Sequence, residues 1–227
     1  IDITATWDEV VNVTGTPTLA LSNGATATYN SGTGSTALVF RYPVVEGDTD
    51  SSDLSVSSYT GTIKDDAENT AGAASGDLGA VLVDANSPVF SSVTATNGTY
   101  YVGQSVVITA TWGEAVVGEG SGLALSGGVS AAYTSGSGST AMVYTYTVVE
   151  GDSASSDLSV LSTTGTLTDA AGNTAGSASG DLGAVLVDAN SPVISSVAAT
   201  DATYFVGQDI DITATWDEVV NVTGTPT

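Results

Sequence analysis

Acidic side chains are the chemically active residues that this sequence supplies in quantity, and they recur at fixed spacing. Glu46-Gly47-Asp48 followed by Asp53 returns as Glu150-Gly151-Asp152 followed by Asp157. Asp84 and Asn86 return as Asp188 and Asn190, Glu114 returns as Glu218, and Asp169 and Asn173 bracket the segment DAAGN. Oxygen ligands grouped in this way suit a hard cation, and Ca2+ takes six to eight oxygens at about 2.3–2.6 Å in flexible geometry. Carboxylate pairs also serve glycosidases, but those need two carboxyls at a set separation across a cleft. A catalytic site copied with every repeat argues against that use.

Other site chemistries lack their residues. The chain has no His and no Cys, which argues against zinc and copper and leaves no ordinary Ser-His-Asp triad. The stretches GTGST at 32–36 and GSGST at 136–140 lack the lysine of a phosphate loop and read as hairpins. The chain therefore reads as non-enzymatic. Its formal charge of −23, from twenty-five acidic and two basic residues (Arg41 and Lys64), repels nucleic acid and anionic lipid and favours cations. The sequons at Asn12, Asn97 and Asn221 matter only in a glycosylating secretory pathway.

Despite that charge, the chain has the apolar content to fold, with 41% hydrophobic residues and a mean hydropathy of +0.22. No apolar run approaches the ~20 residues of a membrane span, and Ile1 stands inside a strand-like pattern, so targeting signals are expected elsewhere. A cysteine-free sequence fits an extracellular setting and a reducing cytosol equally. The abundance of Gly, Ser, Thr and Asp favours secretion.

Repetition organises the rest. VDANSPV begins at Val83 and again at Val187, an offset of 104, and SSDLSV begins at Ser51 and Ser155. Trp7, Trp112 and Trp216 mark one position in successive units, and residues 1–18 recur letter for letter at 210–227. Such fidelity indicates an array of modules with a two-module super-repeat. The expected boundaries are 1–84, a module without its first strand; 85–188, a complete module; and 189–227, the first two strands of another.

Within a module, short alternating patterns are separated by turn chemistry every ~8–12 residues, the pattern of an all-β sandwich. Ile108, Ala110 and Trp112 share one face of a strand, as do Met142, Tyr144, Tyr146 and Val148, and these faces are expected to form the core. Trp112 is accordingly read as core and not as a sugar-stacking platform. The first module repeats the second face as Leu38, Phe40, Tyr42 and Val44, with Pro43 marking an edge or strand end. Asn23-Gly24 and Gly127-Gly128 read as tight turns.

The linker VDANSP, the strand end ITATW-x-E at Trp112 and Glu114, the VVEGD…SDL loop, and DAAGN with its counterpart DDAEN at 65–69 together resemble the Ig-like repeats of giant bacterial surface adhesins. Among these, the resemblance is to the calcium-stiffened extender modules of RTX-type adhesins. It covers essentially the whole chain. It implies tandem immunoglobulin-like β-sandwich modules forming an extracellular, cell-surface spacer, with any glycan or protein target bound by other domains. The first module departs from the pattern at Glu68, where the second has Gly172; Glu68 either supplies an extra ligand or marks an altered loop.

Alternating strand direction in a seven-strand sandwich sends the carboxylate loops to the module ends. One junction then gathers Glu46, Asp48, Asp53, Asp84, Asn86, Glu114, Asp169 and Asn173, and the next Glu150, Asp152, Asp157, Asp188, Asn190 and Glu218. Ca2+ is the expected ligand at both, with Asp84 and Asp188 the leading candidates and the second site incomplete. The alternative is that these residues only cap turns. The expected partners are neighbouring modules or other copies of the chain, with no nucleic acid and no membrane insertion. Two further readings are kept: a filament or surface-layer subunit in which residues 189–227 of one chain complete the sandwich of the next, and a carbohydrate-binding module.

Overall fold

A computed structural model describes residues 1–224; the last three residues of the expected third module, 225–227, lie outside the described residues. The fold is all-β. Among the described residues the one helical feature is a single 3-10 turn at Ser126–Gly128, and no helix is long and apolar enough to cross a membrane. The chain forms two compact units.

The first unit comprises Ile1–Val89 with Glu114–Val117 and Leu167–Gly176. Its strands are β1 (Asp2–Leu21), β2 (Thr26–Ser31), β3 (Ser35–Arg41), β4 (Ser55–Asp65) and β5 (Gly76–Asp77), in the sheet order β2-β3-β1-β4-β5. β1 serves two sets of partners. Asp2–Thr6 pairs with β3, and from Val11 onward the strand pairs with β4, the register shifting between. This run is longer than the 8–12-residue spacing predicts, because the segment after Trp7 stays extended instead of turning.

Side chains alternate along each strand, so one face of the sheet collects the apolar residues. Ile3, Leu19, Leu38, Phe40, Leu54 and Ile63 are buried there, and Tyr29 meets Phe40 edge-to-face at 6.0 Å between ring centres. Leu38, Phe40 and Tyr42 take the expected core positions, but Val44 does not and is 38% exposed. β3 ends at Arg41, so Val44 lies beyond the pleat that would have aimed it inward, and Pro43 falls just past the strand end.

The second unit comprises Phe90–Gly113, Gly118–Thr166 and the chain from Ser177 onward. Its strands are β6 (Phe90–Ala95), β7 (Gly98–Tyr101), β8 (Ser105–Val116, whose last residues group with the first unit), β9 (Gly122–Leu125), β10 (Ser130–Ser135), β11 (Ser139–Thr147), β12 (Ser159–Thr164), β13 (Gly180–Asp181), β14 (Val185–Asp188), β15 (Ile194–Ala199) and β16 (Ile212–Trp216). Seven of them form one sheet in the order β13-β12-β9-β10-β11-β8-β6, while β7 and β14 pair in parallel and β15 and β16 antiparallel.

Strict alternation along β8 and β11 buries Ile108, Ala110 and Trp112 from one, and Met142, Tyr144 and Tyr146 from the other, with Val148 just beyond; each is at most 4% exposed. Leu123, Leu125, Leu158 and Val160 complete a core of β-sandwich-like character. Trp112 is a core residue, as its position on the strand predicts. The Tyr144 hydroxyl inside this core is satisfied by Ser121 at 3.0 Å, which avoids the cost of a buried unpaired polar group. The stretches at Asn23-Gly24, 32–34 and 136–138 lie at strand reversals, as expected.

Candidate metal centre

The segment DAAGN is a closed turn. The Asp169 N–H donates to the Asn173 carbonyl at 3.0 Å, while the Asp169 carboxylate accepts from the N–H groups of Gly172 (2.7 Å) and Asn173 (2.9 Å) and from the Asn173 side-chain amide (2.8 Å). Asp169 is only 4% exposed. Burial pushes its pKa up, but the hydrogen bonds from the Asn173 side chain and from the backbone of Asn173, Gly172 and Ala171 outweigh it and hold the carboxyl below its ordinary value. A buried carboxylate is therefore kept ionised.

Two other carboxylates meet it. Ligand oxygens of Asp84, Glu114 and Asp169 all lie within 4.8 Å of one another, the one such trio among the described residues. All three belong to the first unit: Asp84 follows Val83, Glu114 closes β8, and Asp169 follows the bridge between Val117 and Thr168. Asn173 ties two of them together, the side-chain amide that donates to Asp169 also donating to the Asp84 carbonyl at 3.2 Å and the Asp84 carboxylate at 3.3 Å.

Glu114 records the concentration of charge. Its pKa is raised by partial burial and by repulsion from Asp169, Asp84, Asp50 and Glu46, in that order. The two basic side chains are engaged elsewhere, Arg41 with Asp2 and Lys64 with Glu68, each at 2.7 Å. The donor set is carboxylate and carbonyl oxygen, which suits a hard cation such as Ca2+ or Mg2+ and offers nothing to a soft one.

The other residues expected at this site do different work. Glu46 accepts from the Ser87 N–H at 2.9 Å and the Ser87 hydroxyl at 2.7 Å, bonds that hold its carboxyl below its ordinary value. Asp48 accepts from the Tyr42 hydroxyl (2.7 Å) and the Val45 N–H (3.0 Å) and caps its own loop. Asp53 lies exposed, outside the trio, its N–H donating to Ser51. Asn86 donates to Asp50 at 2.9 Å, and Ala85 N–H donates to the same oxygen at 2.8 Å. Asp50 has no acidic counterpart, since Ala154 stands at its place in the second set, so recurrence does not mark it; its sequence signal is the extra acid in EGDTDSSD.

The second set repeats the local bonds. Glu150 accepts from Ser191 N–H and hydroxyl at 3.0 and 2.6 Å, and Asp152 accepts from Tyr146 and Val149 at 2.7 and 2.9 Å. Asp157 shares a hydrogen bond with Asp181, which raises its pKa. Asp188, Asn190 and Glu218 line one shallow cleft with Tyr101 and Val102, and no carboxylate trio forms there among the described residues. No known protein family, curated protein or solved structure matches the chain.

Proposed function

We propose that the chain is a non-catalytic structural repeat, a calcium-stiffened spacer of immunoglobulin-like modules in an extracellular, cell-surface adhesin. The observation that carries the reading is the trio of Asp84, Glu114 and Asp169. It joins three segments remote in sequence, it contains a buried carboxylate held ionised, and it has no basic side chain to neutralise it. A divalent cation held by Asp84, Glu114 and Asp169 replaces mutual repulsion by bridging. Since it ties the VDANSP linker to the Glu114 and DAAGN loops, it converts a flexible connection into a fixed one.

Binding to the folded state alone raises stability by mass action, by about 2.7 kcal/mol at a hundredfold excess of ligand over Kd. The test is calorimetric titration of Ca2+ into the chelator-treated chain, with melting curves and hydrodynamic radius measured in both states. Saturable binding and a higher melting temperature that Glu114→Gln abolishes are expected. Unchanged melting and radius with no binding heat would overturn the proposal.

A further inference from the structure

β7 and β14 pair in parallel, with Gly98 opposite Val185 and Tyr101 opposite Asp188. β7 lies near the start of the repeat expected at 85–188, and β14 closes it. In a parallel pair, the beginning of one strand and the finish of the other lie at opposite ends of the ladder. The chain therefore enters this ladder at Gly98 and leaves it at Asp188, so a pull on the two flanks is directed along the strands.

That direction decides how the bonds fail. A pull along two paired strands slides one past the other and loads every rung together, whereas a pull across them from one end opens the rungs in turn, each carrying the whole load. β14 is held on its other edge as well. The Leu158 N–H donates to the Val185 carbonyl at 2.9 Å, and Ser155 and Val187 exchange backbone bonds at 3.0 and 2.8 Å. Val185 and Val187 are buried, and Gly183 lets the chain pass Asn97 closely, since a Cβ there would stand 2.9 Å from the Asn97 side-chain oxygen. Beyond β7, the Gly103 N–H donates to the Val148 carbonyl at 2.8 Å and the Val148 N–H to the Gln104 carbonyl at 2.9 Å. Neither strand can slide without breaking bonds to a third segment. β6, in contrast, is the terminal strand of its sheet and pairs with β8, so its release leaves β14 bonded on both edges.

We propose that the β7–β14 ladder is the tension-bearing element of this repeat, the part that keeps it folded when the chain is pulled from both sides. Forced unfolding is governed by the rate of crossing the unfolding barrier, and bonds that must break together raise that barrier more than bonds that break singly. The inference rests on the spacer reading for the source of the tension. The resistance itself comes from the ladder and needs no metal, so it is expected in chelator as well as in calcium.

The test is single-molecule stretching of the chain in chelator. The sequence has no Cys, so a pair of introduced cysteines fixes the points of pull. Val89, Val102 and Val193 are exposed and can carry the handles. Val89→Cys with Val193→Cys pulls along the ladder, while Val102→Cys with Val193→Cys pulls its neighbouring ends apart and opens it from Asp188. The unfolding force is expected to be roughly two- to four-fold higher along the ladder, because up to four register positions share the load. Gly98→Pro removes the N–H that donates to the Ala184 carbonyl at 3.0 Å, at the far end of the ladder from Asp188. It is expected to lower the force along the ladder and to leave the onset of opening from Asp188 unchanged. Equal forces in the two geometries overturn the proposal. So does an undiminished force along the ladder in a Gly98→Pro chain whose melting curve shows it folded. A chain that binds no calcium overturns the stiffened-spacer reading instead and leaves these forces as expected.

Discussion

The Glu46 carboxylate grips Ser87 with both oxygens, one accepting the backbone N–H and the other the hydroxyl, and Glu150 grips Ser191 in the same way. In each case a loop clamps the Asp-Ala-Asn-Ser segment 41 residues further on, and the Gly47 and Gly151 N–H groups donate to the Ala85 and Ala189 carbonyls beside it. The clamp fixes the path of the segment that carries Asp84.

Ser87→Ala removes the hydroxyl donor and leaves the backbone bond, and the expected result is a melting temperature lower by a few degrees with the fold intact. The pH dependence has a definite sign. Hydrogen bonds hold Glu46 below the ordinary glutamate value, so its contribution is present above about pH 4.3 and is lost as pH falls through the lower, folded-state value. Thermal melts between pH 3 and 7 should show a shallower acid-side decline in Glu46→Gln than in the parent, by roughly one group's worth of linkage. An identical decline would remove the clamp from the account.

Glu114 has the opposite sign. Its folded-state pKa is raised by burial and by four neighbouring carboxylates, so in chelator its contribution is fully present below the ordinary glutamate value and is lost as pH rises through the raised one. Glu114→Gln removes the repulsion. At neutral pH in chelator it should raise the melting temperature by about 2–4 °C, the shift that ~1 kcal/mol produces in a chain of this size. In millimolar calcium the order should reverse, because the variant has lost a ligand. Differential scanning calorimetry of both proteins under both conditions checks the crossing, and parallel shifts would disprove it.

Period-two alternation made Trp112, Met142 and Tyr146 legible as core, since each strand is covered along its whole length. The same rule failed at Val44, because alternation says which way a side chain points on a strand and not where the strand stops. For the candidate site, recurrence marked Asp84, Glu114 and Asp169, which the fold brings within 4.8 Å of one another, but not Asp50, which has no counterpart and adds to the repulsion on Glu114, and it also marked Asp48, whose Oδ2 accepts from Tyr42 and Val45. Recurrence marks residues under a common constraint, and capping a loop constrains an Asp as firmly as ligating an ion.

Glu68 shows how sequence difference and backbone geometry come apart. It has a φ of +69°, the one positive value at a non-glycine residue among the described residues, and it keeps the turn that Gly172 makes in DAAGN. Asn69 donates to Asp65 through both its N–H (2.8 Å) and its side chain (2.7 Å), as Asn173 does to Asp169. The Asn-to-Asp bonds of the loop are therefore kept, although the Glu68 N–H donates to the Asp65 carbonyl at 3.2 Å where the Gly172 N–H donates to the Asp169 carboxylate, and the Glu68 carboxylate pairs with Lys64. A left-handed conformation costs an L-residue roughly 1–2 kcal/mol, and an exposed ion pair returns at most about 1. Glu68→Gly should therefore leave stability unchanged or raise it by up to ~1 kcal/mol, and Gly172→Ala should lower it by about 1. Chemical denaturation of the two variants tests the pair, and a marked loss in Glu68→Gly would refute it.

Two glycines with similar backbone angles should respond differently to the same substitution. Gly128 has φ +81° and Gly136 has φ +101°, so alanine is strained at both. At Gly128 the added methyl meets nothing within 4 Å, and the cost is conformational, about 1 kcal/mol. At Gly136 the methyl would run into the Ala141 carbonyl oxygen across the β10–β11 hairpin and sit 3.0 Å from the Met142 Cα. Both neighbours are backbone, and Met142 is fully buried, so the hairpin must open or shift register to make room. Gly136→Ala should therefore cost at least ~2 kcal/mol more than Gly128→Ala, the range of a clash that moves a packed strand. Amide exchange should localise the damage to 130–147. Equal losses would mean that the hairpin tip yields without disturbing β11.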